Sequence, residues 1–136
     1  MNATNTPANA ADATSFSQLP LGQTMQANLQ QLGYTQMTAI QAASLPFALQ
    51  GKDVIAQAST GSGKTAALGL ALLARLNPRW FAVQSLVLCP TRERADQVAT
   101  EIRRVARAKE NVKVVTVYGG VTARNQIGSL ENGAHS

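Results

Sequence analysis

Cysteine, histidine, acidic residues and long apolar runs are all scarce in this chain of 136 residues. The single cysteine, Cys89, has no partner for an internal disulfide, the pattern of a reducing compartment. The one histidine, His135, is next to last, so neither a Cys–His nucleophilic pair nor a His/Cys metal site has a local basis. Cys89 lies in the apolar run "SLVLCP" and is expected in the core. None of the three Asp and four Glu adjoins another acid, so no neighbouring pair of carboxylates is available to hold a divalent cation. No segment reaches the roughly 18 apolar residues of a membrane span. The opening "MNATNTPANAADATSFSQ" has neither a basic nor an apolar leader region. The expectation is a cytoplasmic protein that does not engage a membrane.

Apolar residues make up 45% of the chain, enough for one compact domain of this length. The net charge of +5 is unevenly placed. Residues 1 to 51 have no Lys or Arg, whereas seven of the twelve basic residues lie between Arg92 and Lys113. Any attraction for a polyanion must therefore come from the second half, although a basic helix is also simply a solvated face. Residues 1 to 14 are nearly all Ala, Asn and Thr, bury little, and are expected to be disordered.

Leu21, Met25, Leu29 and Leu32 fall three or four apart and predict an amphipathic helix that stops at Gly33. Thr38 and Gln41 have capping-box spacing before a second helical stretch to Leu49, which Pro46 is expected to break in two. Three further strand-like runs, "DVIAQA", "SLVLCP" and "VKVVTVY", alternate with helical stretches, the second of them Arg92 to Ala108, and a short helical tail follows Gly120. Alternation of this kind predicts an α/β fold, a parallel sheet with helices on both faces.

Between the first strand and its helix stands "ASTGSGKT", residues 58 to 65. A strand, a glycine-rich turn and a helix N-terminus form the setting of a phosphate-binding loop. Gly61 and Gly63 allow main-chain N–H groups from Ala58, Ser59, Thr60, Ser62 and their neighbours to converge on one anion. Lys64 supplies a point charge to the β- and γ-phosphates, and the Thr65 hydroxyl is a candidate Mg²⁺ ligand. Ala58 stands where the usual pattern has its first glycine. Kinases, GTPases, transporters and helicases share this device, so the loop alone names no reaction.

The flanks narrow the field. "GYTQMTAIQ", residues 33 to 41, follows the isolated aromatic Phe16 and precedes the phosphate loop. Gln41 either completes the capping box with Thr38 or offers its amide donor and acceptor to a purine, or does both. Tyr34 is likewise either a core residue or part of the base site. "CPTRERA" ends the second strand, and "YGG" ends the third. Thr91 can cap the helix that carries Arg92. In this order the elements resemble those of the DEAD-box ATP-dependent RNA helicases: the Q motif, the phosphate loop, motif Ia and the GG element. The wording of "GKDVIAQASTGSGKTAALGLALL" and "LVLCPTRERADQVATEIRR" is most similar to a bacterial type that recognises ribosomal RNA through a separate C-terminal domain.

The resemblance implies a P-loop, RecA-like domain that uses ATP and Mg²⁺, with Phe16, Tyr34 and Gln41 at the adenine. It also implies that Pro90, Thr91, Arg92, Gly119 and Gly120 lie along an RNA backbone, with ribosomal RNA one candidate. On this reading residues 1–14 are a tail, 15–42 the Q-motif region and 43–136 a truncated RecA-like domain. The Asp-Glu-Ala-Asp box and the second RecA-like domain are absent, which implies an N-terminal fragment that does not turn over ATP alone and whose uncovered sheet edge favours self-association. The alternative is a nucleotide- or RNA-binding module without catalysis. Arg94 departs from the family pattern, which has Leu there; the expectation is that it snorkels to the surface or adds an RNA phosphate contact.

Overall fold

The computed structural model describes residues 14–120 and 122–131; the expected tail therefore lies almost wholly outside the described residues. Five α-helices are present among them: α1 Gln23–Gln31, α2 Ala39–Leu49, α3 Lys64–Arg75, α4 Arg92–Ala106 and α5 Ala123–Glu131. A 3-10 turn, Phe16–Gln18, precedes them.

Each helix has a local cause. α1 turns Met25 and Leu29 inward and stops at Leu32, after which Gly33 takes φ 83°, a conformation costly for other residues. The Thr38–Gln41 capping box starts α2: the Thr38 hydroxyl accepts the Gln41 N–H and the Gln41 side chain accepts the Thr38 N–H. Pro46 does not divide this helix, contrary to the sequence expectation. It lies in the last turns, where its missing N–H deprives only the Ala42 carbonyl, and the complete burial of Leu45 beside it holds the segment in place. α4 is capped by the Thr91 hydroxyl, which accepts the Arg94 N–H at 3.1 Å. Glu93 in its first turn and Arg103 and Arg104 in its last suit the helix dipole.

α3 packs against both α2 and α4, and α1 lies against α4. Leu29, Leu45, Leu70, Leu73 and Val105 are under 2% exposed and form the centre of this helical core. Gly69 faces Ile102 at this crossing, where an added Cβ would make ordinary van der Waals contact, 3.5 Å from Ile102 Cγ1. Burying each such aliphatic side chain contributes about 1.5–3 kcal/mol relative to exposure. Polar staples hold the periphery: Asn28 Nδ2 donates to the Val105 carbonyl at 3.0 Å and Arg104 Nη2 to the Leu32 carbonyl at 3.3 Å. Lys109 closes the C-terminal end of α3 by donating to the Leu73 and Leu76 carbonyls, and burial lowers its pKa.

The three strand-like runs behave otherwise. Residues 53–58, 85–90 and 112–118 form no strand ladder among the described residues, so the expected parallel sheet is not formed there. Several of their apolar side chains are exposed, Ile55 fully, Leu88 85% and Leu86 78%, whereas Val87, Val114 and Val115 are half-buried and Val112 packs against the helical core. The physical reason is that a strand needs a partner's N–H and C=O groups on each side, whereas a helix satisfies its own main chain. Cys89 shares this fate and is only partly buried, not a core residue as expected.

Candidate functional site

The loop that joins residues 53–58 to α3 carries two left-handed glycines, Gly61 at φ 79° and Gly63 at φ 90°. Nothing crowds Gly61, so only its backbone requires glycine. At Gly63 space is limiting as well: a Cβ would sit 2.9 Å from Gln41 Cδ and 3.1 Å from Thr38 Oγ1. Gln41, 1% exposed, accepts the Thr38 N–H on Oε1 at 2.9 Å and donates from Nε2 to the Gly63 carbonyl at 3.0 Å. One amide thus fastens the start of α2 to the N-cap of α3. One N–H and one acceptor lone pair of Gln41 lie outside these bonds.

Within the loop, Ser62 N–H donates to the Ser59 carbonyl at 3.3 Å, while the Ser62 hydroxyl is buried without a hydrogen-bond partner. A buried, unsatisfied hydroxyl costs about 1–3 kcal/mol, and an anionic oxygen in the loop would satisfy it. Lys64 at the first position of α3 donates to the Ala58 and Ser59 carbonyls. The fit to a phosphate is therefore good: two glycines, an orphaned hydroxyl, a lysine and a helix N-terminus converge. For Mg²⁺ the protein offers the Thr65 hydroxyl, and no group of three His, Cys, Asp or Glu is assembled among the described residues. A cation there would have to be shared with phosphate oxygens.

A cavity of about 330 Å³ opens beside the loop, lined by residues Thr60 to Ala66, by Tyr34, and by Arg94, Gln97 and Glu101 of α4. Tyr34 donates its hydroxyl to Glu101, which also pairs with Arg104 at 3.5 Å. The Arg104 guanidinium stands 5.7 Å from the Tyr34 ring centre. The Tyr34 pKa is pushed up to about 12, first by burial and then by the hydrogen bond to Glu101 and its negative charge, with Arg104 opposing. Phe16 is 3% exposed, and its ring meets Tyr34 edge-on at 5.9 Å. It packs into the core and presents no open face to the cavity. A roomier cleft of about 380 Å³ shares Lys64, Thr65 and Arg94 with this cavity and is lined mostly by apolar groups such as Val87, Leu88 and Val98. It suits sheet packing better than a phosphate.

A second set of candidate residues converges elsewhere. Arg92 donates from Nη2 to the Gly119 carbonyl, and its guanidinium stands 6.0 Å from the Tyr118 ring centre. Tyr118 donates its hydroxyl to Asp96. Gly120 has φ 77°, and a Cβ there would lie 2.8 Å from Arg92 Nη2. Pro90, Thr91, Arg92, Gly119 and Gly120 are all exposed, so the start of α4 and the glycine pair form one accessible surface that carries the Arg92 guanidinium.

The order and spacing of these elements agree with a family model: residues 38–136 match the DEAD/DEAH box helicase model. The chain belongs to this family. The ATP-dependent RNA helicase DbpA of Escherichia coli K12 is 56% identical over 108 residues, covering 79% of this chain and 24% of that protein. CshA of Geobacillus kaustophilus, a DEAD-box ATP-dependent RNA helicase, is 42% identical over 122 residues, 90% of this chain and 26% of its own length. The chain thus spans about a quarter of the length of these relatives. Among solved structures, a DEAD box protein from Methanococcus jannaschii superposes with a TM-score of 0.83 at 33% identity, over 90% of this chain and 33% of that one. The RNA-helicase Prp28 from Chaetomium thermophilum, described bound to ADP, gives 0.73 at 38% identity over 84% of this chain and 29% of that one. The described residues therefore follow the DEAD-box fold in outline.

Sequence reasoning missed one wall of the cavity. Arg94, Gln97 and Glu101 recur at helical spacing on α4 and face the phosphate loop. Arg94 neither snorkels outward nor joins the surface around Arg92. It is half-buried, with Nη2 donating to Thr65 Oγ1 at 3.4 Å and Nη1 to Gln97 Oε1 at 3.3 Å. The spacing i, i+3, i+7 was the available signal.

Proposed function

We propose that this chain supplies the ATP-binding and RNA-backbone-contacting part of an ATP-dependent RNA helicase. The observation that carries the reading is the bond from Gln41 Nε2 to the Gly63 carbonyl, which makes the purine-reading residue and the phosphate loop one rigid unit. The remaining N–H and lone pair of Gln41 match N7 and the N6 amino group of adenine, whereas guanine places an acceptor, O6, where adenine has the N6 donor. Lys64, Ser62 and the loop N–H groups take the phosphates, and Thr65 shares Mg²⁺ with them. That Prp28 is described bound to ADP supports an adenine-nucleotide ligand for this fold. When bound, the triphosphate supplies the energy of hydrolysis, and this chain's residues orient it. Phe16 and Tyr34, in edge-on contact with each other, are the aromatic residues of the adenine side.

RNA lies across Thr91, Arg92, Gly119 and Gly120, where the exposed main chain and one guanidinium meet successive phosphates without reading bases. Ribosomal RNA is the candidate substrate, by likeness to DbpA. The runs 53–58, 85–90 and 112–118 belong to a parallel RecA-like sheet, and their exposed Ile55, Leu86 and Leu88 are covered by further sheet, by a second RecA-like domain or by self-association. The cytoplasm is the setting that fits RNA remodelling. Residues 15–42 form the Q-motif region and 43–136 the start of the ATP-binding domain.

A second reading, a module that binds nucleotide or RNA without turnover, is favoured by one observation. The one carboxylate lining the loop cavity, Glu101, is engaged by Tyr34 and Arg104 and so does not position a water. RNA-stimulated phosphate release separates the two readings. The nucleotide site is tested by equilibrium binding: ATP should bind better than GTP, and Gln41→Ala should lower both affinities, that for ATP by about tenfold more than that for GTP. Equal affinity for both nucleotides, unaffected by the substitution, would leave Gln41 with a capping role only.

A further inference from the structure

Arg94 is the cation in the cavity that the family pattern does not provide for. Its guanidinium is half-buried, and no carboxylate pairs with it among the described residues. Its two hydrogen bonds are long and go to neutral oxygens, Thr65 Oγ1 at 3.4 Å and Gln97 Oε1 at 3.3 Å. The acid on the same wall, Glu101, is already taken by Tyr34 and Arg104. A partly desolvated guanidinium with no counter-anion is complementary to an anion, and Arg favours phosphate because its planar fork can bind two oxygens at once. The buried, unpartnered Ser62 hydroxyl of the same cavity independently points to an anionic oxygen in that space.

We propose that Arg94 is a second phosphate-binding cation beside Lys64, one that supplies at the Thr65 hydroxyl part of the positive charge that Mg²⁺ otherwise provides. This rests on the nucleotide reading above and sharpens it. Because the guanidinium and a divalent cation address the same hydroxyl oxygen and repel one another, nucleotide affinity depends only weakly on Mg²⁺ in this chain. With Leu at position 94 the dependence becomes steep.

The test is titration of the full chain with a fluorescent ATP analogue, in excess Mg²⁺ and in EDTA, for wild type, Arg94→Leu, Arg94→Gln and Arg94→Lys, with circular dichroism to confirm folding. Wild type should weaken less than about tenfold on Mg²⁺ removal; Leu and Gln variants should weaken about tenfold further, with Lys intermediate. The proposal is overturned if wild type alone loses its binding in EDTA, a result that needs no variant. It is equally overturned if the Leu and Gln variants match wild type in both buffers while ATP still binds. Absence of binding by wild type in both buffers would instead remove the nucleotide reading itself, and this proposal with it.

Discussion

The phosphate loop and the surface around Arg92 are built from similar parts, glycines beside a capped helix, yet they are held in different ways. At the loop, a buried glutamine, a helix cap and a left-handed glycine interlock: Gln41 touches Thr38 and Gly63, and a Cβ at Gly63 has no room. At the other surface, Arg92 reaches the Gly119 carbonyl in the open, and the residues around it are exposed. The first arrangement fixes geometry before a ligand arrives, as preorganised recognition of a triphosphate requires. Under the function proposed above, the second leaves the main chain free to follow a flexible polyanion, which needs reach more than rigidity.

This contrast can be broken most strongly at Gly63. Gly63→Ala adds backbone strain at φ 90° to displacement of the Gln41 amide, and should cost about 2–4 kcal/mol in chemical denaturation. Gly61→Ala, with equal strain but open space, should cost only about 1–2 kcal/mol. Equal losses would mean that Gln41 contributes nothing to the loop. A smaller effect is expected on the exposed side. Arg92→Ala should weaken single-stranded RNA binding and lower its salt slope by about one, with ATP affinity unchanged. A drop in ATP affinity would join two sites that the geometry keeps apart.

The smallest effect concerns Tyr34, which lines the loop cavity and bonds to Glu101 of α4. Its folded pKa of about 12 lies above the ordinary 10, so the stability drawn from the neutral phenol is fully present below about pH 10 and is lost as pH rises through 12. Tyr34→Phe should cost about 1 kcal/mol near pH 7, as one hydrogen bond is removed, and the gap from wild type should narrow above pH 10. A gap that stays constant up to pH 12 would place the Tyr34–Glu101 bond outside the folding balance.

Much of the helical layer could be read directly. The spacing of Leu21, Met25, Leu29 and Leu32 gave α1 to within two residues at either end, and Thr38 with Gln41 gave the cap of α2. Helices are legible because their hydrogen bonds and apolar stripes are local. Pro46 misled because its effect depends on position and packing: late in the helix, beside a fully buried Leu45, it is tolerated. The runs 53–58, 85–90 and 112–118 carry strand-like sequences but make no ladder among the described residues, since strand pairing is decided by partners and not by the run itself.

The sequence by itself determined which chemistry is present: the glycines, Lys64 and Thr65 of the loop, the glutamine placed to cap or to read a base, and the basic face after Arg92. Only the tertiary structure decided how these residues spend their bonds. It tied Gln41 to Gly63, buried Phe16 behind Tyr34, and turned Arg94 from the outer surface toward Thr65. The physical reason is the range of the forces involved. Backbone conformation and capping are settled within a few residues of chain, whereas a buried amide or guanidinium takes whichever partner the packing of distant helices brings within about 3 Å.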